Sequence, residues 1–219
     1  MTPAVDAAPR PSDTEDDVRR GRLPWYHPDE LDEAQRELYD AVVSGPRSHN
    51  RRTPLTDAQG RILGPHNAML SHPALGNALQ EIGAGLRFGG TLPRRLFEVL
   101  VLVTAVERDA PYEWYAHAPI ARSHGVSDEE LEALRQGRDP EVDADEAAAL
   151  ALARACLDHT DPGDALVQRV VDAYGREGVT EIVTTVGLYD LIGTLMRVWD
   201  HPLPDGVEDP LRHPVTHEG

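Results

Sequence analysis

The sequence predicts an all-α protein, a helical bundle of about eight helices, and three observations support this prediction. Apolar residues recur at three- and four-residue spacing through most of the chain, which is typical of amphipathic helices. Prolines, glycines and Ser-Asp-Glu groups stand where helices begin and end. No segment alternates between apolar and polar residues for long enough to predict a strand.

The predicted helices follow one another with short interruptions. In order, they span residues 28–43, 73–88, 92–105, 112–124, 128–136, 143–159, 164–177 and 180–199. Proline begins several of them, and the groups at 44–46 and 89–90 stop the first two. Ser127 with Glu130 forms a capping-box pattern before the fifth. The third is apolar nearly all round, which predicts a helix at the centre of the bundle.

Two tails and one loop complete the predicted organisation. Residues 1–22 are rich in Pro, Asp and Arg and poor in large apolar side chains, so we expect a disordered or arm-like N-terminal tail. Residues 201–219 contain four prolines and no periodicity, and we expect a C-terminal tail. Residues 23–200 are predicted to form a single domain. The segment 47–65 inside it is predicted to be a loop, of a length that is often functional.

The composition of the chain limits the binding partners and the cellular compartment that we expect for it. The chain has 219 residues, with 38 Asp and Glu against 21 Lys and Arg, so its formal net charge is -17. This surplus argues against nucleic acid and against anionic membrane surfaces as partners. The single cysteine, Cys156, excludes an intrachain disulfide, a CxxC redox pair and a thiolate zinc cluster. We find no signal-peptide pattern and no apolar run near the ~20 residues of a membrane span, and we predict a cytoplasmic protein.

Three residues are candidates for chemistry. Glu113 and His117 are four residues apart, so on a helix they share a face, and a carboxylate beside an imidazole is how a general acid–base pair is built. Glu98 is the only charge in the interior of the most apolar helix, where a carboxylate must be either partnered or functional. The alternatives stay open: Glu113 and His117 as an ordinary surface pair, and Glu98 as a structural carboxylate paired with an arginine.

A metal site is the weaker interpretation of the same region. His124 follows His117 by seven residues and so falls on nearly the same helical face. The chain has no HExxH pattern, and a second carboxylate ligand is not evident. We therefore predict no metal at this site.

Residues 64–125 carry a pattern that resembles a known family. Its elements are Gly64-Pro65, Ser71-His72-Pro73-Ala74-Leu75, Leu92-Pro93-Arg94, Glu98-Val99-Leu100-Val101-Leu102, Tyr112-Glu113-Trp114, His117, Ala121 and Gly125-Val126-Ser127. With these residues the sequence resembles the carboxymuconolactone decarboxylase and alkylhydroperoxidase D-like family. The resemblance implies the alkylhydroperoxidase D-like helical bundle and a homo-oligomer, either a trimer or a hexamer.

The resemblance also separates two kinds of chemistry. Peroxidase-type members place a CxxC pair ahead of the histidine, and in this sequence those positions are Ala110 and Glu113, so the thiolates are missing. Decarboxylase-type members carry a Glu four residues before the histidine, as Glu113 and His117 do. The resemblance thus implies a carboxy-lyase-like enzyme without a cofactor. Its reaction would be a decarboxylation, a lactone reaction or an isomerisation of a small carboxylic acid or lactone.

Roles for the catalytic residues follow from the resemblance. His117 would move the proton, and Glu113 would orient and charge it. Glu98 would act as a second acid or base, or would fix the histidine from behind. The alternative function is a non-catalytic small-molecule-binding or structural homo-oligomer of the same family. An open pocket that reaches His117 would favour catalysis, and a packed, dry cluster would favour the alternative.

The predicted substrate-binding residues surround this group. They are Arg94, Tyr112, Trp114 and His66. An arginine such as Arg87, Arg94 or Arg95 could hold a substrate carboxylate by a bidentate contact. The other interpretation of each arginine is a solvated residue or an ion-pair partner of Glu98, and it is the one we favour for Arg95.

Overall fold

The computed structural model describes residues 21–45 and 53–212, and within these ranges it contains eight α-helices. They are α1 (Glu33–Val43), α2 (Pro65–Leu70), α3 (Pro73–Ala84), α4 (Arg94–Glu107), α5 (Pro111–Ser123), α6 (Asp128–Arg135), α7 (Ala144–Leu157) and α8 (Gly163–Val198). A single isolated bridge joins Thr56 and Ile62. The all-α prediction is confirmed. Residues 1–20 and 213–219 of the predicted tails lie outside the described residues, as do residues 47–52 of the predicted loop.

Helix starts follow the capping residues of the sequence. Ser127 and Glu130 form the predicted reciprocal capping box at the start of α6. At the first helix the prediction began too early. Residues Pro28–Glu30 form a short 3₁₀ turn, and α1 begins at Glu33 because Asp32 and Gln35 form a second capping box there.

Two elements differ from the prediction. Helix α2 occupies Pro65–Leu70, directly after the predicted loop, and all six of its residues are buried. The last two predicted helices form one element, α8, which is interrupted at Gly175. That residue has φ 72° and ψ 177°, a conformation that glycine adopts without the penalty of a side chain. The interruption therefore lies at the glycine, a few residues before the predicted gap.

Helix α4 lies at the centre of the bundle, as predicted. Ten consecutive residues, 96–105, are buried, and α4 contacts α5, α6, α7 and α8. Most of its apolar side chains join one core cluster with α5, α6, α7 and the first part of α8. A second cluster packs α1 and α2 against α5 and the last part of α8. The candidate site lies where α4, α5 and α8 meet α3.

Residues 22–25 and 199–201 pack together beside α5. The His201 ring stacks on Trp25 with ring centroids 5.4 Å apart and meets Tyr112 edge to face at 5.9 Å. The Arg22 amide donates to the carbonyl of Trp199 over 2.8 Å. Burial lowers the pKa of His201 to about 4. Residues 21–25 and 199–201 are thus tied to the helical domain.

Among the described helices, α8 is the one long and apolar enough to cross a membrane by length and composition. It is interrupted at Gly175 and packs against α4 and α7. A buried core helix meets the same criteria, so this observation is weak evidence for a membrane span.

Gly64→Ala should destabilise the fold strongly, because Gly64 has φ +69° and an added Cβ would lie 2.3 Å from the ring of Tyr112. Backbone strain and overlap with a rigid ring together predict a loss of about 2–4 kcal/mol in the free energy of unfolding. Gly125→Ala is the matched control: Gly125 has φ +88° but nothing within 4 Å, so about 1 kcal/mol is expected. Urea unfolding of both variants measures the difference, and equal losses would contradict the role of Tyr112.

Candidate active site

The structure brings the three predicted catalytic residues together around one imidazole. His117 lies on α5 and is only 2 % exposed. Its Nδ1 lies 2.6 Å from Oε2 of Glu98 on α4, and its Nε2 lies 3.6 Å from Oε2 of Glu113, one turn earlier on α5. The two carboxylates therefore lie near opposite nitrogens of the ring. The surface-pair alternative does not fit, because Glu113 is 3 % exposed.

Glu98 is compensated by charge and hydrogen bonding. Its Oε1 lies 2.5 Å from Nη2 of Arg94, one turn earlier on α4, and its side chain has no exposed surface. Burial by itself raises the pKa of Glu98, but the contacts with His117, Arg94 and Arg87 outweigh burial and lower the pKa below its usual value. Glu98 is therefore a charged, paired carboxylate inside the bundle, and Arg94 rather than Arg95 is its arginine partner.

The other ring nitrogen faces two groups from distant parts of the chain. Nη2 of Arg87 lies 3.0 Å from Nε2 of His117 and donates to the Tyr189 hydroxyl over 2.9 Å. The Tyr189 hydroxyl is 3.3 Å from the same Nε2, and the two rings meet edge to face at 5.1 Å. Arg87 belongs to a π-helical turn, Gly85–Gly89, that follows α3, whereas Tyr189 lies on α8.

These contacts determine the roles of the two ring nitrogens. A guanidinium has only donors, so Nε2 of His117 accepts from Arg87. Nδ1 then carries the proton and donates it to the carboxylate of Glu98. Glu98 thus orients the ring, and the lone pair of Nε2 points toward Arg87 and Tyr189.

The neighbouring groups keep their protons. Burial raises the pKa of Tyr189, and the carboxylates of Glu113 and Glu98 raise it further against the opposing effect of Arg87. Burial lowers the pKa of Arg87, but Tyr189 and the two carboxylates outweigh this effect, and its pKa is raised overall. Near neutral pH the site therefore presents a phenol and a guanidinium as donors.

A small, partly open pocket reaches the free side of the histidine. Its volume is about 40 Å³, and its polar lining comes from His66, Gln80, Arg87, Glu113, His117 and Tyr189. The apolar wall is formed by residues of α2, α3, α5 and α8, namely Pro65, Met69, Leu79, Gly83, Tyr112, Ala116, Leu188 and Ile192. A water needs at least about 10–15 Å³ by such a measure, so the pocket holds only a few waters in this conformation.

The predicted substrate-binding residues divide into two pairs. His66 and Tyr112 line the pocket. Arg94 lies outside the lining, paired with Glu98 and stacked over Phe97 at 4.5 Å. Trp114 packs into the main apolar core and also does not line the pocket.

Two residues that were weighed in the sequence lie away from the pocket. Arg95 pairs with Glu130 at 2.5 Å and Glu146 at 3.2 Å, so it is neither a solvated residue nor a partner of Glu98. His124 is the exposed C-terminal cap of α5. In the described part of the chain, no group of three or more His, Cys, Asp or Glu side chains is arranged to hold a metal ion.

Tyr189 was absent from the sequence prediction, and Arg87 appeared there only as one of three possible carboxylate ligands. Tyr189 is 72 residues from His117 and belongs to the apolar face of α8, where a tyrosine looks like any other core aromatic. Arg87 follows a helix whose spacing gives no sign that its side chain turns inward. The sequence contained only two weak signals: Tyr189 carries a hydroxyl among the apolar residues of α8, and Arg87 lies between two glycines.

Comparison with protein families matches residues 73–155 to the model of the "Carboxymuconolactone decarboxylase family". This segment belongs to that family. It includes α3, α4, α5, α6 and most of α7, and hence Arg87, Glu98, Glu113 and His117. The predicted family is confirmed. A search of curated proteins finds no significant match.

Solved structures confirm the fold. The protein is similar to an alkylhydroperoxidase AhpD core, an uncharacterized peroxidase-related protein from Ralstonia eutropha JMP134, at 15% identity and TM-score 0.65 over 84% of this chain and 93% of the other. A peroxidase-related protein from Silicibacter sp. TM1040 has 13% identity and TM-score 0.64 over 84% and 92%. The debrominase Bmp8 in complex with 2,3,4-tribromopyrrole has 16% identity and TM-score 0.58 over 79% and 87%. The alkylhydroperoxidase D-like bundle is therefore confirmed.

Glu98→Gln should reduce the acid sensitivity of the fold. Because the folded pKa of Glu98 is lowered, the unfolded chain takes up this proton first as the pH falls. The charged carboxylate thus stabilises the fold above about pH 4.5, and this contribution is lost as the pH falls through the folded pKa. We expect Glu98→Gln to lower the free energy of unfolding by about 1–3 kcal/mol near neutral pH. The free energy of unfolding of this variant should also fall less steeply than that of the wild-type protein as the pH is lowered. Urea unfolding at a series of pH values measures both effects.

Glu146→Gln is the control, because the pKa of Glu146 is shifted in the opposite direction from that of Glu98. Burial raises the pKa of Glu146 in spite of Arg95, so the charged form of Glu146 is destabilising and its effect grows as the pH rises from about 4.5. In Glu146→Gln, the free energy of unfolding should therefore decrease less than in the wild-type protein as the pH rises from about 4.5. The same change of slope in both variants would contradict the assignment for Glu98.

Proposed function

We propose that this protein is a cofactor-independent acid–base enzyme of the carboxy-lyase type that acts on a small carboxylic acid or lactone. The observation that carries this proposal is the position of the His117 ring. Glu98 holds Nδ1 at 2.6 Å, and Nε2 faces a pocket with a guanidinium and a phenol beside it. An imidazole that is oriented at one nitrogen, with the lone pair of its other nitrogen at a pocket, is the arrangement of a general base.

The geometry favours a division of roles between the carboxylates. Glu98 fixes the ring from behind and stabilises the imidazolium that forms when Nε2 takes a proton. Glu113 lies on the pocket side, near Nε2 rather than Nδ1, and is placed to accept or return a proton at the substrate. The orienting role expected of Glu113 therefore passes to Glu98 in this proposal.

The reactions open to such a site pass through a common enolate intermediate, in which negative charge lies on a carbonyl oxygen. In an isomerisation, Nε2 of His117 takes a proton from the carbon next to a carbonyl, the electron pair moves to the carbonyl oxygen, and the proton returns at another carbon. In a decarboxylation, the bond to the leaving carbon dioxide supplies that electron pair. Nε2 of His117 first takes a proton from solvent and then delivers it to the carbon that carbon dioxide has left. Both routes develop negative charge on oxygen, and Arg87 and Tyr189 supply donors for it.

Thiol chemistry is less compatible with these residues. The positions where peroxidase-type members carry cysteines hold Ala110 and Glu113. Cys156, the single cysteine, lies on α7 beside the main core, and burial raises the pKa of its thiol, which disfavours the reactive thiolate. The activities for which the similar peroxidase-related protein and debrominase are named are therefore not part of this proposal.

A non-catalytic binding or structural role is the second candidate, and the pocket volume favours it. About 40 Å³ does not admit an organic acid unless a lining side chain moves. Either the pocket widens when the substrate enters, or the polar side chains of the cluster only form hydrogen bonds with one another and bind no substrate.

The proposal includes a homo-oligomer, a trimer or a hexamer. Exposed apolar positions on α8 recur at helical spacing: Val183, Gly187, Leu191 and Val198, with Val183 and Leu191 nearly half exposed. Leu75, Ile82 and Phe88 form a second exposed apolar group on α3 and the π-helical turn. Such surfaces are typical of contacts between subunits. We also propose a cytoplasmic protein without nucleic-acid or membrane partners.

His117→Gln should abolish turnover. The substrates to test are carboxymuconolactone, after the family name, and a set of β-keto and lactone acids. Release of carbon dioxide and exchange of carbon-bound protons with D₂O are followed by NMR. Removal of a general base should reduce the rate by about 10²–10⁴-fold while circular dichroism stays unchanged.

His124→Gln is the matched control for that experiment. His124 lies on the exposed end of the same helix, so its replacement should leave the rate unchanged. A wild-type rate in His117→Gln would refute the enzyme assignment. Absence of any turnover in the wild-type protein across the set would favour the binding role.

Leu191→Glu should disrupt the oligomer. A charge in the apolar stripe on α8 cannot be buried at a subunit contact without a partner. Size-exclusion chromatography with light scattering should show smaller particles for this variant. Ala165→Glu, at another exposed position of α8, is the control and should keep the wild-type mass. A monomeric wild-type protein, or an unchanged mass in Leu191→Glu, would contradict the proposed interface.

A further inference from the structure

Arg87 has an unusual place in the fold. It belongs to the π-helical turn Gly85–Gly89, and short π segments are frequent at functional sites. The side chain of Arg87 lines the pocket, while that of its neighbour Phe88 is 58% exposed. An added Cβ at Gly85 or Gly89 would meet nothing within 4 Å, so both ends of the turn have open space around them.

The segment after the turn is held firmly. The carboxylate of Glu181 on α8 accepts hydrogen bonds from the amides of Thr91 and Leu92 and from the Thr91 hydroxyl. Displacement of Arg87 can therefore be confined to the glycine-flanked turn, because the start of α4 is tied to α8.

The guanidinium of Arg87 is only partly satisfied. Its Nη2 serves both Tyr189 and the Nε2 of His117, whereas its Nε is buried and has no hydrogen-bond partner. A buried donor without a partner is costly. A carboxylate commonly binds an arginine through two parallel hydrogen bonds, and such a ligand would satisfy donors that the protein leaves open.

The same guanidinium limits access to the base. Its contact with Nε2 of His117 occupies the lone pair that a general base must offer to the substrate. The pocket beside it has a volume of only about 40 Å³. A carboxylate that draws Nη2 away from Nε2 would uncover the lone pair and widen the pocket in one movement.

We propose that Arg87 binds the carboxylate of the substrate and acts as a latch that covers His117 until that carboxylate arrives. The inference rests on the proposed function for the identity of the base, but its anion-binding step does not require turnover. It also defines the group that is recognised in this pocket as a single carboxylate. Because Glu113 lines the same pocket, a second carboxylate of a larger acid would have to lie outside it.

Acetate and its neutral counterpart acetamide test the latch in the absence of a known substrate. In ¹⁵N NMR spectra, the signal of the His117 ring is identified by its absence in His117→Gln. Acetate should shift the Nε2 signal of the wild-type protein in a saturable way, because the contact with Arg87 is broken. Acetamide should cause no such shift.

Substitution of Arg87 should remove this response. In Arg87→Gln we expect acetate affinity to fall about tenfold or more, with the Nε2 signal close to its acetate-bound position before any acetate is added. Arg87→Lys keeps the charge but loses the bidentate geometry and should respond weakly. Arg95→Gln is the control: it breaks ion pairs with Glu130 and Glu146 away from the pocket and should respond to acetate like the wild-type protein.

The outcomes separate this inference from the enzyme proposal. No saturable acetate shift in the wild-type protein, equal shifts with acetamide, or an unchanged response in Arg87→Gln would overturn the latch. If His117→Gln keeps full turnover while the acetate response depends on Arg87, the enzyme proposal fails and the latch stands. If His117→Gln loses turnover and the response is absent, only the latch fails.

Discussion

The buried hydrogen bond from Nδ1 of His117 to the carboxylate of Glu98 is the interaction on which the rest of the site depends. A carboxylate without exposed surface is costly unless it is paired and hydrogen-bonded. Arg94 supplies the charge at one oxygen, and the imidazole supplies a donor at the other. Because Arg94 and Glu98 are one turn apart on α4, the helix itself provides half of this compensation. The hydrogen bond from His117 supplies the rest, and it forms only if α5 packs on α4 with His117 facing Glu98. The site therefore depends on the packing of α5 against the central helix α4.

That constraint explains the arrangement of donors on the opposite side of the ring. Because Nδ1 keeps its proton and donates it to Glu98 in a hydrogen bond, Nε2 of the neutral ring can only accept, and a guanidinium and a phenol lie beside it. The cluster contains two arginines and two carboxylates, so its formal charges balance around the imidazole. A balanced cluster can be buried at modest cost, and it leaves Nε2 of the neutral ring without a proton on the pocket side.

Much of the helical framework was predictable because its signals are local. Capping residues such as Ser127 and Glu130, and apolar spacing along α4, act within one or two turns. The errors arose where a local signal was missing. The short helix α2 has too few residues to show periodicity, and the interruption of α8 depends on a single positive φ at Gly175. Arg94, which was predicted to bind substrate, pairs with Glu98, whereas Arg95, for which this pairing was one of the favoured interpretations, pairs with Glu130. Adjacent helical residues face different neighbours, and the sequence does not say which neighbour carries the charge.

The sequence by itself determined the fold class, the family segment and the candidate group of Glu98, Glu113 and His117, because helical periodicity, caps and a motif with fixed spacing are written along the chain. Only the tertiary structure decided which carboxylate holds Nδ1, which arginine covers Nε2 and that Tyr189 belongs to the site. Those contacts join α3, α4, α5 and α8 across separations of up to 72 residues. Helix packing sets such contacts, and no local pattern encodes them.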